Sequence, residues 1–463
     1  GRMVSLVYQR DLSTRVPNVL RGSIAVGLAA DESVVMPLSG VGANLNLATF
    51  DVDAWRSVLT QVAGFASADA ALPQFQGQAD ATLGYLPSRF AVRAQELMVG
   101  GRKLNQLVIG GSREGAVWRA NLDARQLNGY LEYRPSSDAE AGRLYARLSR
   151  LVIEPSAVSE VEHLLGEQPA SIPALDIVVD DFALRGKRLG RVEVEALNRG
   201  GETSVRNGSV REWRLNKFNL TTPEAQLMAN GNWANTNAQS AAPGQRRTVM
   251  NFKLTISDAG DLLTRLGMKD VVRKGSGKME GQVAWLGSPI TLDYPSMNGA
   301  FSVNVENGQF LKADPGIAKL LGVLSLQSLP RRLTLDFRDV FAEGFAFDFL
   351  RGDVRISQGI ALTNNLQMKG VNAAVLMEGQ ANIARETQDL KVVVVPEINA
   401  GTASLIAGVI NPAVGLGTFV AQLFLRRPLI EAATQELHVD GSWSDPRVTK
   451  VERGAKAKKE EIP

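Results

Sequence analysis

The sequence predicts a mainly β protein with a few short helices, and three observations carry that expectation. Apolar and polar residues alternate with a period of two along most of the chain, turn residues punctuate the alternation, and helical periodicity is confined to short stretches. Composition agrees: Gly supplies 44 of 463 residues, above the usual share of about 7%, while aromatics make up 6%. That mix suits many strands joined by many turns.

Met250, Phe252, Leu254 and Ile256 alternate with Asn251, Lys253, Thr255 and Ser257, the pattern of a sheet wetted on one face only. Phe301, Val303 and Val305 do the same against Ser302, Asn304 and Glu306, as do Leu333, Leu335 and Phe337 against Arg332, Thr334, Asp336 and Arg338. Phe345, Phe347 and Phe349 follow. Upstream, Trp118, Ala120 and Leu122, then Leu175, Ile177 and Val179, then Val192 and Val194 repeat the pattern. About twenty strands of ordinary length are expected. Asn307-Gly308, Gly287-Ser288-Pro289, Gly352-Asp353 and Gly379 read as turns between them, which makes an antiparallel meander.

Helical spacing marks Asp51 to about Ala70 (Trp55, Val58, Leu59, Val62, behind an Asp cap), Ala139 to Leu151 (Leu144, Leu148, Leu151) and Val158 to Leu165. Asp258 and Asp314 read as caps of two more, Asp258 to Leu266 and Pro315 to Leu326, the latter with Ile317, Leu320, Leu321 and Leu324 on one face. These cannot cover twenty strands. The apolar sheet face must then be buried against a second sheet, against itself as a barrel, or against something that is not protein. A sandwich is the default, and the others stay open.

Ile398 to Leu425 holds no charged residue and carries Leu405, Ile406, Val409, Ile410, Val414, Leu416, Phe419, Val420, Leu423 and Phe424. Asn411-Pro412 interrupts it, and each half, as a helix of about 13 residues, reaches only about 20 Å against a hydrocarbon core of about 30 Å. Pro412 suits a first helical turn with Asn411 as its cap. The stretch reads as a helical pair lying on or dipping into a bilayer, those ten residues making membrane contact and Arg426 and Arg427 at the headgroups. Two buried helices closing the end of the sheet is the other reading. Leu437 to Trp443 is a further strand, and Lys450 to Pro463 reads as a solvated tail.

Charge and residue types exclude much chemistry. Lys plus Arg total 51 and Asp plus Glu 48, a net +3 too balanced for a dedicated nucleic-acid binder. There is no Cys, and of the two His, His163 and His438, neither has a second His at ligand spacing, so no metal centre or cofactor is expected. Lys274-Gly275-Ser276-Gly277-Lys278 only superficially matches a phosphate loop: Val272 stands where the first Gly belongs and Met279 where Ser or Thr belongs. It reads as a flexible turn before a strand Gln282 to Trp285. Asp180-Asp181 and the pair Asp336 and Asp339 read as solvated charge on a wet face. No catalytic set emerges. The opening Gly1-Arg2-Met3 runs straight into strand-like sequence, which reads as a piece of a longer polypeptide.

Asp258-Ala259-Gly260-Asp261-Leu262-Leu263-Thr264-Arg265-Leu266-Gly267, then Gly275-Ser276-Gly277, then Gly281-Gln282-Val283-Ala284-Trp285-Leu286-Gly287-Ser288-Pro289 resemble the C-terminal part of the large AsmA-like envelope proteins. Asn298 to Gly308, Pro315 to Leu324, Leu333 to Phe337 and Gly441 to Pro446 resemble the AsmA-like C-terminal module, and Trp118 to Pro135 and Leu175 to Trp233 the repeats that precede it. The resemblance implies a long curved antiparallel sheet folded into an open apolar groove. It further implies a non-enzymatic periplasmic protein of Gram-negative bacteria, anchored in the inner membrane, carrying phospholipid toward the outer membrane.

On that basis residues 1–170 and 171–290 are expected as β-groove repeats, 291–397 as the C-terminal β module, 398–427 as the apolar helical pair, and 428–463 as a final strand and tail. The expected lipid-groove residues are Phe252, Leu254, Ile256, Phe301, Val303, Val305, Leu333, Leu335, Phe337, Phe345, Phe347, Phe349, Val392 and Val394. Expected partners are phospholipid and the two membranes, with an outer-membrane protein partner left unnamed. A different class of function, assembly of outer-membrane β-proteins through exposed strand edges, is the alternative.

Overall fold

The computed structural model describes residues 3–13, 18–28, 35–51, 54, 84–99, 102–136, 142–153, 173–199, 212–235, 246–289, 292–311, 345–370, 373–396, 413, 415–426 and 434–451. Among the described residues, 21 strands belong to one sheet, accompanied by two α-helices and one 3-10 turn. The chain divides into two compact units, one of Gly1–Thr222, Asn230–Arg246 and Ser288–Thr291, the other of Pro223–Ala229, Arg247–Gly287 and Leu292–Pro463.

In the first unit the strands are β1 (Met3–Asp11), β2 (Asn18–Leu28), β3 (Gly40–Asp51), β4 (Arg89–Val99), β5 (Arg102–Glu114), β6 (Val117–Asp123), β7 (Leu127–Arg134), β8 (Arg143–Ile153), β9 (Ala174–Leu184), β10 (Lys187–Arg199) and β11 (Glu212–Thr221), with the later part of β12 (Ala225–Asn235). Strands adjacent in sequence pair in space. The expectation of a purely antiparallel meander is corrected at three places: β2–β3, β3–β4 and β8–β9 are parallel. Parallel neighbours need a connection that carries the chain back along the sheet, and 29–39, 52–88 and 154–173 supply it. The helical patterns at 51–70 and 158–165 fall in two of these connections and, apart from Asp51 and Ala54, outside the described residues. Asp51 Oδ1 accepts from the Ala54 N–H at 2.8 Å, as a cap does.

The helix expected over Ala139–Leu151 is also corrected, since Arg143–Ile153 is strand β8, paired to β7 on one side and β9 on the other. Leu144 and Leu148, four apart, suit either period. The buried residues Ala146 and Leu148 show that the period is two.

The second unit holds β13 (Arg246–Ile256), β14 (Val272–Leu286), β15 (Asn298–Phe310), β16 (Phe345–Ser357), β17 (Ile360–Gly370), β18 (Ala373–Asn382), β19 (Thr387–Pro396), β20 (Gln435–Ser442) and β21 (Pro446–Lys450), each antiparallel to the next. Helix α1 (Ala259–Arg265) forms where expected, capped by Asp258, whose Oδ1 accepts from the Asp261 N–H at 3.0 Å. Helix α2 (Gly415–Arg426) opens beyond Pro412 rather than at it.

Several expected turns lie inside strands. Asn307-Gly308 is within β15, Gly352-Asp353 within β16, Gly379 within β18, and Lys274–Lys278 within β14 rather than before it. Here glycine permits close approach: a Cβ on Gly308 would lie 2.3 Å from the Phe347 ring. The hairpins turn instead at Arg185-Gly186 and Gln358-Gly359, whose paired positive φ values (+51°, +77° and +48°, +74°) define two-residue turns that follow the strand twist. Pro315–Leu326, Leu333–Phe337, His163, Asp336, Asp339 and the tail beyond Val451 lie outside the described residues.

Candidate functional site

The candidate site is an apolar sheet face, built in the second unit by large-small-large pairing across three strands. Phe252 of β13 faces Gly281 of β14, which faces Phe301 of β15, and the two rings meet over the glycine with centroids 6.3 Å apart. A Cβ on Gly281 would stand 2.3 Å from the Ala300 carbonyl oxygen and 2.5 Å from Phe301 Cα, so only glycine lets the backbones lie this way. Beside this line run Leu254–Met279–Val303 and Ile256–Gly277–Val305. Val354 and Leu350 of β16 continue the face next to Phe301 and Val305.

Burial is graded along the strands. Ile256, Val305, Phe347, Met368, Val375, Val392, Val394, Leu437 and Val439 form one buried cluster, whereas Phe252, Leu254, Phe301 and Val303 are only half-buried. Protein covers one end of this face and leaves the middle partly open.

The opposite face is ionic. Gln282 Nε2 donates to Asn251 Oδ1 at 2.7 Å, Lys278 lies 3.4 Å from Glu280, Arg447 2.8 Å from Asp440, and His438 3.6 Å from both Asp389 and Asp440. An open depression of about 1020 Å³ is lined by Glu280, Asp353, Arg355, Glu378, Asp389, Lys391 and His438 together with Phe301, Val354 and Leu362. In the first unit Asp180 pairs with Arg191, and Asp181 lies 3.4 Å from Arg188, so this acidic pair is salt-bridged surface charge. Glu193, hydrogen-bonded by Lys217 and Arg191, is held below the ordinary glutamate pKa. Among the described residues no cluster of His, Asp or Glu could hold a metal.

Strict alternation placed Phe347 and Phe349 on one face, and the structure separates them. A bulge sets Asp348 and Phe349 opposite Lys369 alone, with the Asp348 carboxylate 2.7 Å from Lys369 Nζ. Phe347 therefore joins Val305 and Leu350, while Phe349 turns to the other face, its ring 4.1 Å from the Arg351 guanidinium. Phe345 opens β16, and Leu333, Leu335 and Phe337 lie outside the described residues.

Val392 and Val394, both 4% exposed, pack with Val375, Leu437 and Val439. Val393 and Val395 point the other way, into a second cluster with Ala374, Leu376, Leu416 and Val420. Helix α2 thus lies on the face opposite the groove residues. Its Leu416 and Val420 are buried there, Phe419 and Phe424 partly so, and Leu425 is 86% exposed. Leu405, Ile406, Val409, Ile410, Val414 and the Leu423 side chain lie outside the described residues. No helix among the described residues is long and apolar enough to cross a membrane.

Sequence reasoning put Met250 on this face without naming it a groove residue, and missed Met279, Val283, Leu350, Val354, Met377 and Leu390 on it. Gly275 and Gly277 made Lys274–Lys278, the first part of β14, read as a turn before a strand Gln282 to Trp285, although Gly277, Met279, Gly281 and Val283 keep the two-residue period. The first unit repeats the theme, with Ala146, Leu148, Val179 and Val192 buried beside Ile177, Val194, Phe218 and Leu220.

A sheet that is oily and incompletely covered on one face, and on the other ionic except where α2 packs on it, defines a β-groove protein. The chain belongs to the family described as YhdP protein, whose model matches residues 1–448. A curated relative from Escherichia coli (strain K12), named intermembrane phospholipid transporter YhdP, is 27% identical over 360 residues, which is 78% of this chain and 26% of the relative. The chain therefore spans about a quarter of that relative's length. No solved structure matches it.

Proposed function

We propose that this chain is a non-enzymatic stretch of a conduit along which phospholipid passes between the inner and outer membranes. The observation that carries the reading is the half-open apolar face around Phe252, Leu254, Phe301 and Val303, set back to back with an ionic face. Family membership and the relative's printed role between membranes support it, and with it a place in the periplasm attached to the inner membrane. Each CH₂ kept from water contributes about 0.8 kcal/mol, so moving an acyl chain of about 16 carbons through solvent would cost on the order of 12 kcal/mol. A continuous oily strip removes most of that barrier without any covalent step. The phosphate stays hydrated at the open edge, which avoids the cost of burying a charge.

Helix α2 is the proposed delivery element. Leu416 and Val420 fasten it to the sheet, and the exposed Leu425 is the part offered to a bilayer surface.

The test is a photo-crosslinking amino acid at Phe301, with Phe349 on the other face as control. Lipid adducts at 301 and none at 349 are expected. Adducts with a client polypeptide, or no adduct at 301, would overturn the reading.

A further inference from the structure

We propose that helix α1 is a hinged flap seated on a latent part of the lipid strip, and that a phospholipid acyl chain competes with it for the row Ile256–Gly277–Val305. The inference rests on the conduit reading above and adds to it a binding row that the chain itself keeps covered.

Phe252–Gly281–Phe301 and Ile256–Gly277–Val305 are built alike, each with a glycine of β14 between large apolar residues of β13 and β15. Both glycines stand where a Cβ would strike a neighbouring carbonyl oxygen, 2.3 Å away at Gly281 and 2.0 Å away at Gly277. Only their cover differs. Phe252 and Phe301 are half-buried, whereas Ile256 and Val305 are buried. Leu254–Met279–Val303 lies between the two rows, so the covered row continues the open ones along the strands without a break.

Helix α1 supplies cover there. Its Ala259 and Leu262 pack on the cluster that holds Ile256 and Val305. A Cβ on Gly275 would lie 3.3 Å from Ala259 Cβ and 3.4 Å from Val305 Cγ1, so helix, β14 and Val305 meet at that point. Gly260 rests against the β14 backbone, where a Cβ would stand 2.5 Å from the Val272 carbonyl oxygen. Leu266 and Met268, which follow the helix, are exposed. A helix of seven residues closes too few hydrogen bonds to persist by itself. Its seating depends on what ties it down.

Glu224, just before β12, ties down both ends. Its carbonyl accepts from the Ser257 and Asp258 N–H groups at 2.8 and 3.3 Å, ahead of the helix. Its carboxylate accepts the Arg265 fork at the last turn, from Nε at 2.8 Å and Nη2 at 2.5 Å. The ion pair is only partly buried, so water reaches it and opening it is inexpensive compared with unfolding a strand. Opening frees the C-terminal turn while the Ser257 and Asp258 bonds stay as the hinge. Acyl methylenes offer the uncovered row the same kind of apolar contact that Leu262 gives it. A chain already lying on the open rows therefore shifts the flap toward its open state by occupying the row beneath.

Hydrogen exchange of the purified chain, before and after loading from phosphatidylglycerol vesicles, reads the competition at the Leu262, Leu266 and Met268 amides, which bond to the Asp258, Leu262 and Leu263 carbonyls. Loading should speed exchange there severalfold, opposite in sign to the protection a ligand gives a surface it merely covers. In the empty chain Arg265→Gln should speed the same amides about tenfold, the equivalent of one charge-assisted contact, and Arg265→Lys, which keeps the charge but not the fork, by less. Native mass spectrometry should then find more phosphatidylglycerol on Arg265→Gln than on the parent, and likewise on Leu262→Ala, which leaves the ion pair in place. Unchanged or slower α1 exchange on loading, with lipid bound, overturns the flap and leaves the conduit standing. Unchanged α1 exchange in Arg265→Gln overturns the latch. Absence of bound lipid in the parent overturns the conduit, and the flap with it.

Discussion

Leu416→Ala is the sharpest test of how the C-terminal helix is held. Leu416 is 1% exposed and packs with Ala374, Leu376, Val393, Val395 and Val420. A twelve-residue helix with Gly415 and Gly417 in its first turn has little stability of its own, so the sheet contact holds it. Truncating a fully buried leucine costs about 3 kcal/mol, within a range of roughly 2–5. Spread over local opening of α2, that is about a hundredfold loss of amide protection. Hydrogen exchange read by mass spectrometry should show faster exchange across 415–426 and at Leu376 and Val393, with α1 unchanged. Leu425→Ala, at a position 86% exposed, should change little. Unchanged protection of α2 in Leu416→Ala would refute the packing argument.

Phe301→Asp should leave the fold intact by circular dichroism yet abolish bound lipid in native mass spectrometry, because the side chain is only half-buried; Val305→Asp, at a position 9% exposed, should instead unfold the second unit. Gly281→Val forces a Cβ within 2.3 Å of a neighbouring carbonyl oxygen and should cost 2 kcal/mol or more, about the upper range for overpacking, read as a lowered urea midpoint. Glu193 has a depressed folded-state pKa, so its stabilisation is complete above the unfolded value and is lost as pH falls through the folded one. Glu193→Gln should therefore lose less stability than the parent on acidification from about pH 5 to pH 3, measured by urea titration at each pH.

Much of the apolar face was legible because a period of two is a local property. Phe252, Leu254, Ile256, Phe301, Val303 and Val305 needed only the alternation of their own strands, and α1 needed only Asp258 and three leucines at helical spacing. Phe349 was misplaced because the bulge at Asp348 depends on which residue of β17 lies opposite. Lys274–Lys278 read as a turn because the reason for Gly277, a Cβ that would lie 2.0 Å from the Asn304 carbonyl oxygen of the neighbouring strand, is absent from the local sequence. The strand at Arg143–Ile153 read as a helix because Leu144 and Leu148 satisfy both periods, and only pairing with β7 and β9 settles the choice.

What the sequence determined by itself was composition and alternation: many strands, one oily face, one ionic face, and no residues for thiol chemistry. Tertiary structure decided which neighbours run parallel, where bulges reverse a face, and which oily side chains remain half-open. Those outcomes depend on cross-strand register and on what lies above a residue, and both are set by contacts between segments far apart in the chain.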